Sequence, residues 1–252
     1  MSVSKIALLT GGSRGLGREM ALKLAEKGID VAITYLSSKE KAEAVVAEIQ
    51  AMGQKAYAFQ LDTRFTGGFD AFLTQLSTTL QAERGTDKID FLINNAGTGI
   101  YKPFLETTEA DFDEMMNVHL KGVYFLTQKA VPFLKDGARI INLSSGLARF
   151  SIPGSSAYAS MKGGVDVFTR FLAKELASRK ITAVSVAPGA IATDFGDGEN
   201  RSEMKQNLIS GVTALGRVGV AEDIGGIVAF LCTEEARWIN GQRIEASGGI
   251  FL

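Results

Sequence analysis

The 252-residue sequence predicts an α/β fold, a doubly wound parallel sheet with helices on both faces. Short β-rich runs alternate strictly with longer helical patterns, and the strand-like runs are almost wholly apolar. That is the pattern of strands buried on both sides by crossover helices. No Pro-rich linker and no internal repeat interrupts the series, so a single domain over residues 1–252 is expected.

The elements are read in chain order. Lys5–Thr10 is a strand, followed by a Gly-rich turn and a helix near Arg18–Lys27. Val31–Tyr35 is the second strand, and Lys39–Met52 is a helix closed by Gly53. Ala56–Leu61 is the third strand and Phe69–Gln81 the next helix, with Gln81–Lys88 as a polar surface loop. Ile89–Ile93 is a buried strand ending at Asn94-Asn95-Ala96-Gly97. Glu109–Leu134 carries one long helical pattern, Arg139–Leu143 is a strand, and Ala157–Ser178 is a second long helix. Thr182–Val186, the helix Glu222–Leu231 and a last strand Arg243–Glu245 complete the series. The Gly-rich, charged stretch Phe195–Asn207 follows a strand end, where open α/β sheets bind ligands, so residues 195–210 are read as a substrate lid.

Composition narrows the function. A net charge of −1 gives no basic surplus for nucleic acid or an anionic membrane surface. No apolar run approaches the roughly 20 residues of a membrane span, and Met1–Lys5 lacks a signal-type apolar region. A cytoplasmic protein is expected. Cys232 is the only cysteine and His119 the only histidine, so no intrachain disulfide forms and no metal site is expected. By spacing, His119 lies two residues from Asn117 and points to another side of its helix, as a structural or surface residue rather than a substrate contact.

The turn Thr10-Gly11-Gly12-Ser13-Arg14-Gly15-Leu16-Gly17 joins the first strand to the first helix. Glycines there let backbone N–H groups approach a pyrophosphate at the helix N-terminus, which makes the sheet Rossmann-type. A carboxylate at the end of the second strand would bind the ribose hydroxyl of NAD. Tyr35-Leu36-Ser37-Ser38-Lys39 has none before Glu40; with Arg14 it offers hydroxyls and cations suited to a 2′-phosphate. NADPH/NADP+ is therefore the expected cofactor.

Tyr158 and Lys162 stand at i and i+4, about 6 Å apart along a helix axis. A phenol beside an ammonium makes a proton donor and acceptor usable near neutral pH, because the cation stabilises the phenolate.

Together these motifs resemble the short-chain dehydrogenase/reductase family. They stand in family order: Thr10–Gly17, Leu61-Asp62, Asn94-Asn95-Ala96-Gly97, Asn117, Ser145, Tyr158 with Lys162, and Pro188-Gly189. The similarity extends to Ala236–Gly249, with one departure: Ala246-Ser247 stands where the family's dipeptide before the final Gly-Gly usually ends in Asp. The branch it resembles includes 3-oxoacyl-carrier-protein reductases and stand-alone ketoreductases. The resemblance implies that Tyr158 is the general acid for ketone reduction, that Lys162 lowers its pKa and holds the nicotinamide ribose, and that Ser145 bonds the substrate oxygen. Asn117 would hold a water in a proton relay. Asp62 and Thr63 would meet the adenine, and Asn94, Ala96 and Gly97 would line the adenosine side. Pro188, Gly189, Ile191 and Thr193 would enclose the nicotinamide amide. It also implies a homotetramer built on the two long helices, whose apolar residues include Phe125, Val165, Phe168 and Phe171.

The expected function is NADPH-dependent reduction of a small-molecule ketone to a secondary alcohol. A 3-oxoacyl thioester is the alternative substrate, with Arg149 as a lone candidate contact for a carrier protein. A non-catalytic nucleotide-sensing protein is the alternative of another class. Phe150, Ile152, Pro153 and Phe195 are read as an apolar substrate wall.

Overall fold

The protein is described by a computed structural model covering residues 4–252; of the N-terminal segment read for a leader, residues 1–3 lie outside the described residues. Seven parallel strands form one sheet: β1 (Ile6–Leu9), β2 (Asp30–Tyr35), β3 (Ala56–Gln60), β4 (Ile89–Asn94), β5 (Leu134–Leu143), β6 (Thr182–Pro188) and β7 (Arg243–Ala246). The order is β3-β2-β1-β4-β5-β6-β7, so the chain reverses its direction of travel between β1 and β4. That reversal is the topological switch point at which such sheets bind ligands.

Two apolar cores flank the sheet because neighbouring strand residues point to opposite faces. Ala7, Leu9, Val31, Ile33 and Ile93 join one core, which includes residues of helices α1 (Gly15–Glu26), α2 (Lys39–Ala51) and α8 (Ala221–Leu231). Ile6, Leu8, Ala32 and Leu92 join the other, with residues of α3 (Phe69–Arg84), α5 (Gly122–Ala130) and α6 (Ser156–Glu175). A small third cluster, Met115, Tyr158 and Met161, lies between α4 (Glu109–Met116) and α6.

Four boundaries depart from the sequence reading. Helix α3 continues to Arg84, three residues into the expected loop, and stops where Gly85 takes a left-handed φ of 66°. The long helical pattern is α4 and α5 joined by a π turn, Asn117–Lys121, in which Gly122 N–H donates to the Asn117 carbonyl. It ends at Ala130, in a short 3-10 turn containing Pro132, which has no N–H to continue a helix. The next strand starts at Leu134, five residues earlier than expected. Its polar Lys135-Asp136-Gly137 segment lies where the pairing with β4 shifts register between Ile89 and Phe91. The Phe195–Asn207 stretch contains a 3-10 segment, Phe195–Arg201, and the start of a helix not foreseen, α7 (Glu203–Gly211).

A polar ladder crosses the second core. Asn94 Nδ2 donates to Asn142 Oδ1 at 2.8 Å and to Thr127 Oγ1 at 2.9 Å, and Asn142 Nδ2 donates to Thr169 Oγ1 at 2.9 Å. It ties β4, β5, α5 and α6 together in fixed register. Asn142 is fully buried, so truncating it leaves buried donors and acceptors unmatched. Asn142→Ala is expected to lower the unfolding free energy by about 1–3 kcal/mol, read as a shift of the urea midpoint at unchanged slope.

Candidate active site

Every strand ends on the same edge, and the sequence-predicted residues gather there because they follow strand ends. Gly11 to Gly17 follow β1, Ser37 and Ser38 follow β2, and Asp62 and Thr63 follow β3. Ala96 and Gly97 follow β4, Ser145 follows β5, and Gly189, Ile191 and Thr193 follow β6.

The Gly-rich turn is held by backbone contacts that only glycine permits. Gly11 has φ 71°, and a Cβ there would lie 2.9 Å from Ala96 Cα. Asn95 Nδ2 donates to the carbonyls of Thr10 and Gly11 at 2.9 and 3.0 Å, and the N–H groups of Asn95 and Ala96 both donate to Thr10 Oγ1 at 3.0 Å. Asn95 thus locks the turn to the β4 exit. The sequence reading placed Asn94 on the adenosine side, but its amide N–H groups are taken by the core ladder. Helix α1 opens at this turn with no acidic residue in its first turn, directly after the exposed Arg14. Such an N-terminus favours an anion.

Other expected cofactor contacts stand differently from the sequence reading. The Tyr35 side chain is buried in the core. The Asp62 carboxylate accepts from Arg64 Nε, Nη2 and backbone N–H at 2.9, 2.6 and 3.0 Å, so Arg64 is a second charged group at the β3 exit. That hydrogen bonding holds the carboxyl below its ordinary value.

Tyr158 and Lys162 lie in the first two turns of α6, both buried. Ser145 lies just after β5, where its Oγ accepts from Leu147 N–H at 3.2 Å and its side chain acts on the Tyr158 phenol. Lys162 Nζ lies 5.6 Å from the centre of the Tyr158 ring and donates to the Leu143 carbonyl at 2.7 Å. Burial brings the Lys162 ammonium down to about 8, with the Asp166 carboxylate opposing that fall. Burial pushes the Tyr158 phenol up, Tyr101 adds to the rise, and Ser145 opposes it. Lys162 was expected to lower the phenol; here desolvation outweighs any such pull, and the neutral phenol is the favoured form.

Three aromatic rings surround Tyr158. His119 meets it edge-on at 4.9 Å, Phe195 at 5.9 Å and Tyr101 at 6.2 Å. The spacing argument turned His119 away from the site; the π turn adds a residue to the local turn and brings it in. His119 is fully buried, its Nε2 lies 2.7 Å from the Thr98 carbonyl, and Gly97 is needed beside it because a Cβ would come within 2.8 Å of the ring. Burial and then the Lys162 charge hold the imidazole well below its ordinary value, so it is neutral. Of the expected apolar wall only Phe195 touches Tyr158. Phe150 turns to Phe251 at 4.9 Å, and Ile152 and Pro153 are exposed. Tyr101 completes the wall; it packs over Gly196, whose φ of 60° and missing Cβ leave room for its ring. Arg149, read as free for a carrier protein, is bound bidentately to Glu245 through Nε and Nη2 at 2.7 and 2.6 Å. Asn117 is half-buried at the start of the π turn.

This arrangement is that of a nucleotide-dependent oxidoreductase. The chain belongs to the short-chain dehydrogenase/reductase family. A family model described as enoyl-(acyl carrier protein) reductase matches residues 11–250. The 3-oxoacyl-[acyl-carrier-protein] reductase FabG of Staphylococcus aureus is 39% identical over 255 residues, covering 100% of both chains. A hydroxynaphthalene reductase-like protein of Metarhizium brunneum is 36% identical over 259 residues, covering 97% of this chain and 94% of its own. Among solved structures, the angucycline C-6 ketoreductase LanV with bound NADP superposes with a TM-score of 0.93 at 36% identity, covering 99% of this chain and 96% of that one. The promiscuous reductase LugOII, which catalyses keto-reduction at C1 during lugdunomycin biosynthesis, gives 0.93 at 36% identity with both chains fully covered.

The titrations give a signed expectation. Lys162 is charged below about 8 and neutral above it, and the charged form is the one that can stabilise a phenolate. The pH profile of kcat/KM for ketone reduction, which reports the free protein, should fall as pH rises through about 8. It should show no step near about 6.5, where an ordinary histidine titrates, because His119 stays neutral. An acid-side step that disappears in His119→Asn would contradict this reading.

Proposed function

We propose that this chain is an NADPH-dependent oxidoreductase that reversibly reduces a ketone to a secondary alcohol, with Tyr158 as the proton donor. The observation that carries the reading is the convergence of Ser145 and Tyr158, with Lys162 one turn behind Tyr158, on the edge that also holds the Gly-rich turn. The glycine cradle at Gly11, open at the N-terminus of α1, fits a dinucleotide pyrophosphate. Gly11, Ser13, Gly15, Leu16 and Gly17 would hold that group; Arg14, Ser37 and Ser38 would take a 2′-phosphate. Asp62 and Thr63 lie at the adenine end, with Ala96 and Gly97 on the adenosine side. Lys162 would hold the nicotinamide ribose, and Pro188, Gly189, Ile191 and Thr193 would enclose the amide. The NADP bound to LanV supports the choice of cofactor.

When bound, the nicotinamide supplies the hydride for the carbonyl carbon. The chain's own residues manage the charge on oxygen. Ser145 and Tyr158 present two hydroxyls to it, an oxyanion-type arrangement in a water-poor site. Tyr158 then gives its proton to the alkoxide. The buried phenol is protonated at rest, which is the form that donates. Lys162 stabilises the phenolate that results, and Asn117 holds a water that returns the proton from solvent.

Residues 195–210 act as a lid carrying Phe195 over Tyr158, and α7 presents the exposed Met204 and Leu208. Rings from Tyr101 and Phe195 on the proton donor favour a ketone on a bulky apolar body. The thioester reading has the FabG relative in its favour, but the engagement of Arg149 with Glu245 removes the basic contact suggested for a carrier protein. A panel of aryl ketones, short ketones and an acetoacetyl thioester, run with NADPH and NADH, should show highest kcat/KM for aryl ketones with NADPH. In the same assay Tyr158→Phe should lose at least about a hundredfold in kcat; near-normal turnover would overturn the mechanism.

The assembly is a homotetramer built on α5 and α6. Val165 is in the interior, but Tyr124, Phe125, Val167 and Phe171 are exposed along these helices at 42, 36, 44 and 59%. Tyr124 also stacks on Phe168 at 4.6 Å, which flattens the face. A face this apolar is normally covered. Light scattering is expected to give four times the chain mass, and Phe171→Glu to lower it; a monomer mass for the unaltered protein rejects the assembly.

A further inference from the structure

The end of β5 is gripped by cations from two sides. On one side Lys162 donates to the Leu143 carbonyl at 2.7 Å. On the other, Arg243 of β7 reaches the Ser145 carbonyl through Nη2 at 3.0 Å. The same guanidinium donates through Nε to Asp166 at 3.1 Å and through Nη1 to Glu245 at 2.8 Å. Asp166 is 8% exposed and stands one helical turn beyond Lys162, so both lie on one face of α6. Its other oxygen accepts from Ser185 Oγ at 2.7 Å. Glu245 is held in turn by Arg149 and by Ser247 Oγ at 2.9 Å.

We propose that Arg243 is a positioning residue for the reaction: its planar fork spans the Ser145 carbonyl and the Asp166 carboxylate, and so fixes the gap between Ser145 and the helix that carries Tyr158 and Lys162. The inference rests on the proposed roles of those three residues. Three nitrogens on three partners is a task for a guanidinium fork; an ammonium is a single point with a different reach. Ser145 lies just past the strand ladder, since the β5–β6 register ends at Leu143 and Val186. Among the described residues, its carbonyl accepts besides Arg243 only the local Ala148 N–H, at 3.1 Å, which ties it to its own turn and not to α6. Ser144 N–H donates to the Val186 carbonyl at 2.7 Å, so Arg243 takes over where the ladder stops. The outer half of the network, Arg149 with Glu245, touches neither Ser145 nor Asp166 and serves as an internal control.

The test compares Arg243→Gln, Arg243→Lys and Arg149→Gln with Tyr158→Phe, reading kcat, KM for ketone, KM for NADPH and melting temperature. Misplacing reacting groups by an ångström costs up to about a hundredfold, so Arg243→Gln is expected to lower kcat about tenfold or more. Both KM values should stay within about twofold, the signature of an interaction that matters only in the transition state. Arg243→Lys should recover melting temperature better than kcat. Arg149→Gln should lower the melting temperature and leave kcat unchanged. If Arg243→Gln keeps full kcat, or if Arg149→Gln loses as much kcat as it does, Arg243 is only a structural tie and the inference fails. Should Arg243→Gln not fold, Asp166→Asn removes the same link from the helix side, and full kcat in that variant also overturns it. Loss of turnover in Tyr158→Phe beside full turnover in Arg243→Gln rejects the positioning role alone; full turnover in Tyr158→Phe rejects the proposed mechanism itself.

Discussion

All seven strands run in one direction, and this constraint shapes everything that follows. Parallel strands need a crossover between each pair, and the crossovers are helices that cover both faces. The carboxyl ends of the strands must then share an edge, and the segments leaving that edge converge. A nucleotide turn after β1, a serine after β5 and a strand-ending Pro188-Gly189 after β6 become neighbours although more than 170 residues of chain separate the first from the last. The reversal between β1 and β4 leaves a crevice beside the Gly-rich turn, which Asn95 closes from the far side.

Convergence alone does not give a site its precision; buried polar ties do. One runs through the core from Asn94 to Asn142 to Thr169, and another crosses the β5 exit from Glu245 through Arg243 to Asp166. Both end on α6. A helix held only by apolar packing could slide along its groove for little cost, whereas moving a hydrogen-bonded group off its buried partner costs about 1–3 kcal/mol each time. Helix α6 is therefore registered against the sheet at two heights, just below the tyrosine that it presents.

All seven strands were legible in the sequence, most plainly the central ones, whose burial on both faces leaves an apolar run; helix α7 was not. The convergence of the candidate residues was legible where they follow strand ends, since topology alone fixes their place. What escaped was anything that depends on a local break in regularity. His119 was misplaced because spacing arguments assume a uniform helix, and the π turn violates that assumption; the only signal was Asn117 itself, a poor helix former in a helical run. Tyr101 was missed because it sits in an irregular segment whose path depends on Gly196, far along the chain. Arg149 looked free because its partner, Glu245, is 96 residues away. The start of β5 was hidden by a charged, Gly-containing bulge that does not look like a strand.

The electrostatics of the site follow from dryness more than from pairing. Burial lowers Lys162, lowers His119 and raises Tyr158, and in each case it favours the neutral form. Of these three groups, Lys162 is the one that keeps its charge at neutral pH. It persists because Asp166 lies one turn away and because the Leu143 carbonyl accepts one of its protons. His119 stays neutral chiefly because it is buried, and the Lys162 charge adds to that. When negative charge develops on a substrate oxygen, the Lys162 ammonium lies behind the phenol that can quench it. Tyr158 holds its proton in the resting state, and in the proposed reduction it would lose it only as that charge develops. In that reduction the solvation of the site would favour donation, and loss of the Lys162 charge would end the support for the phenolate.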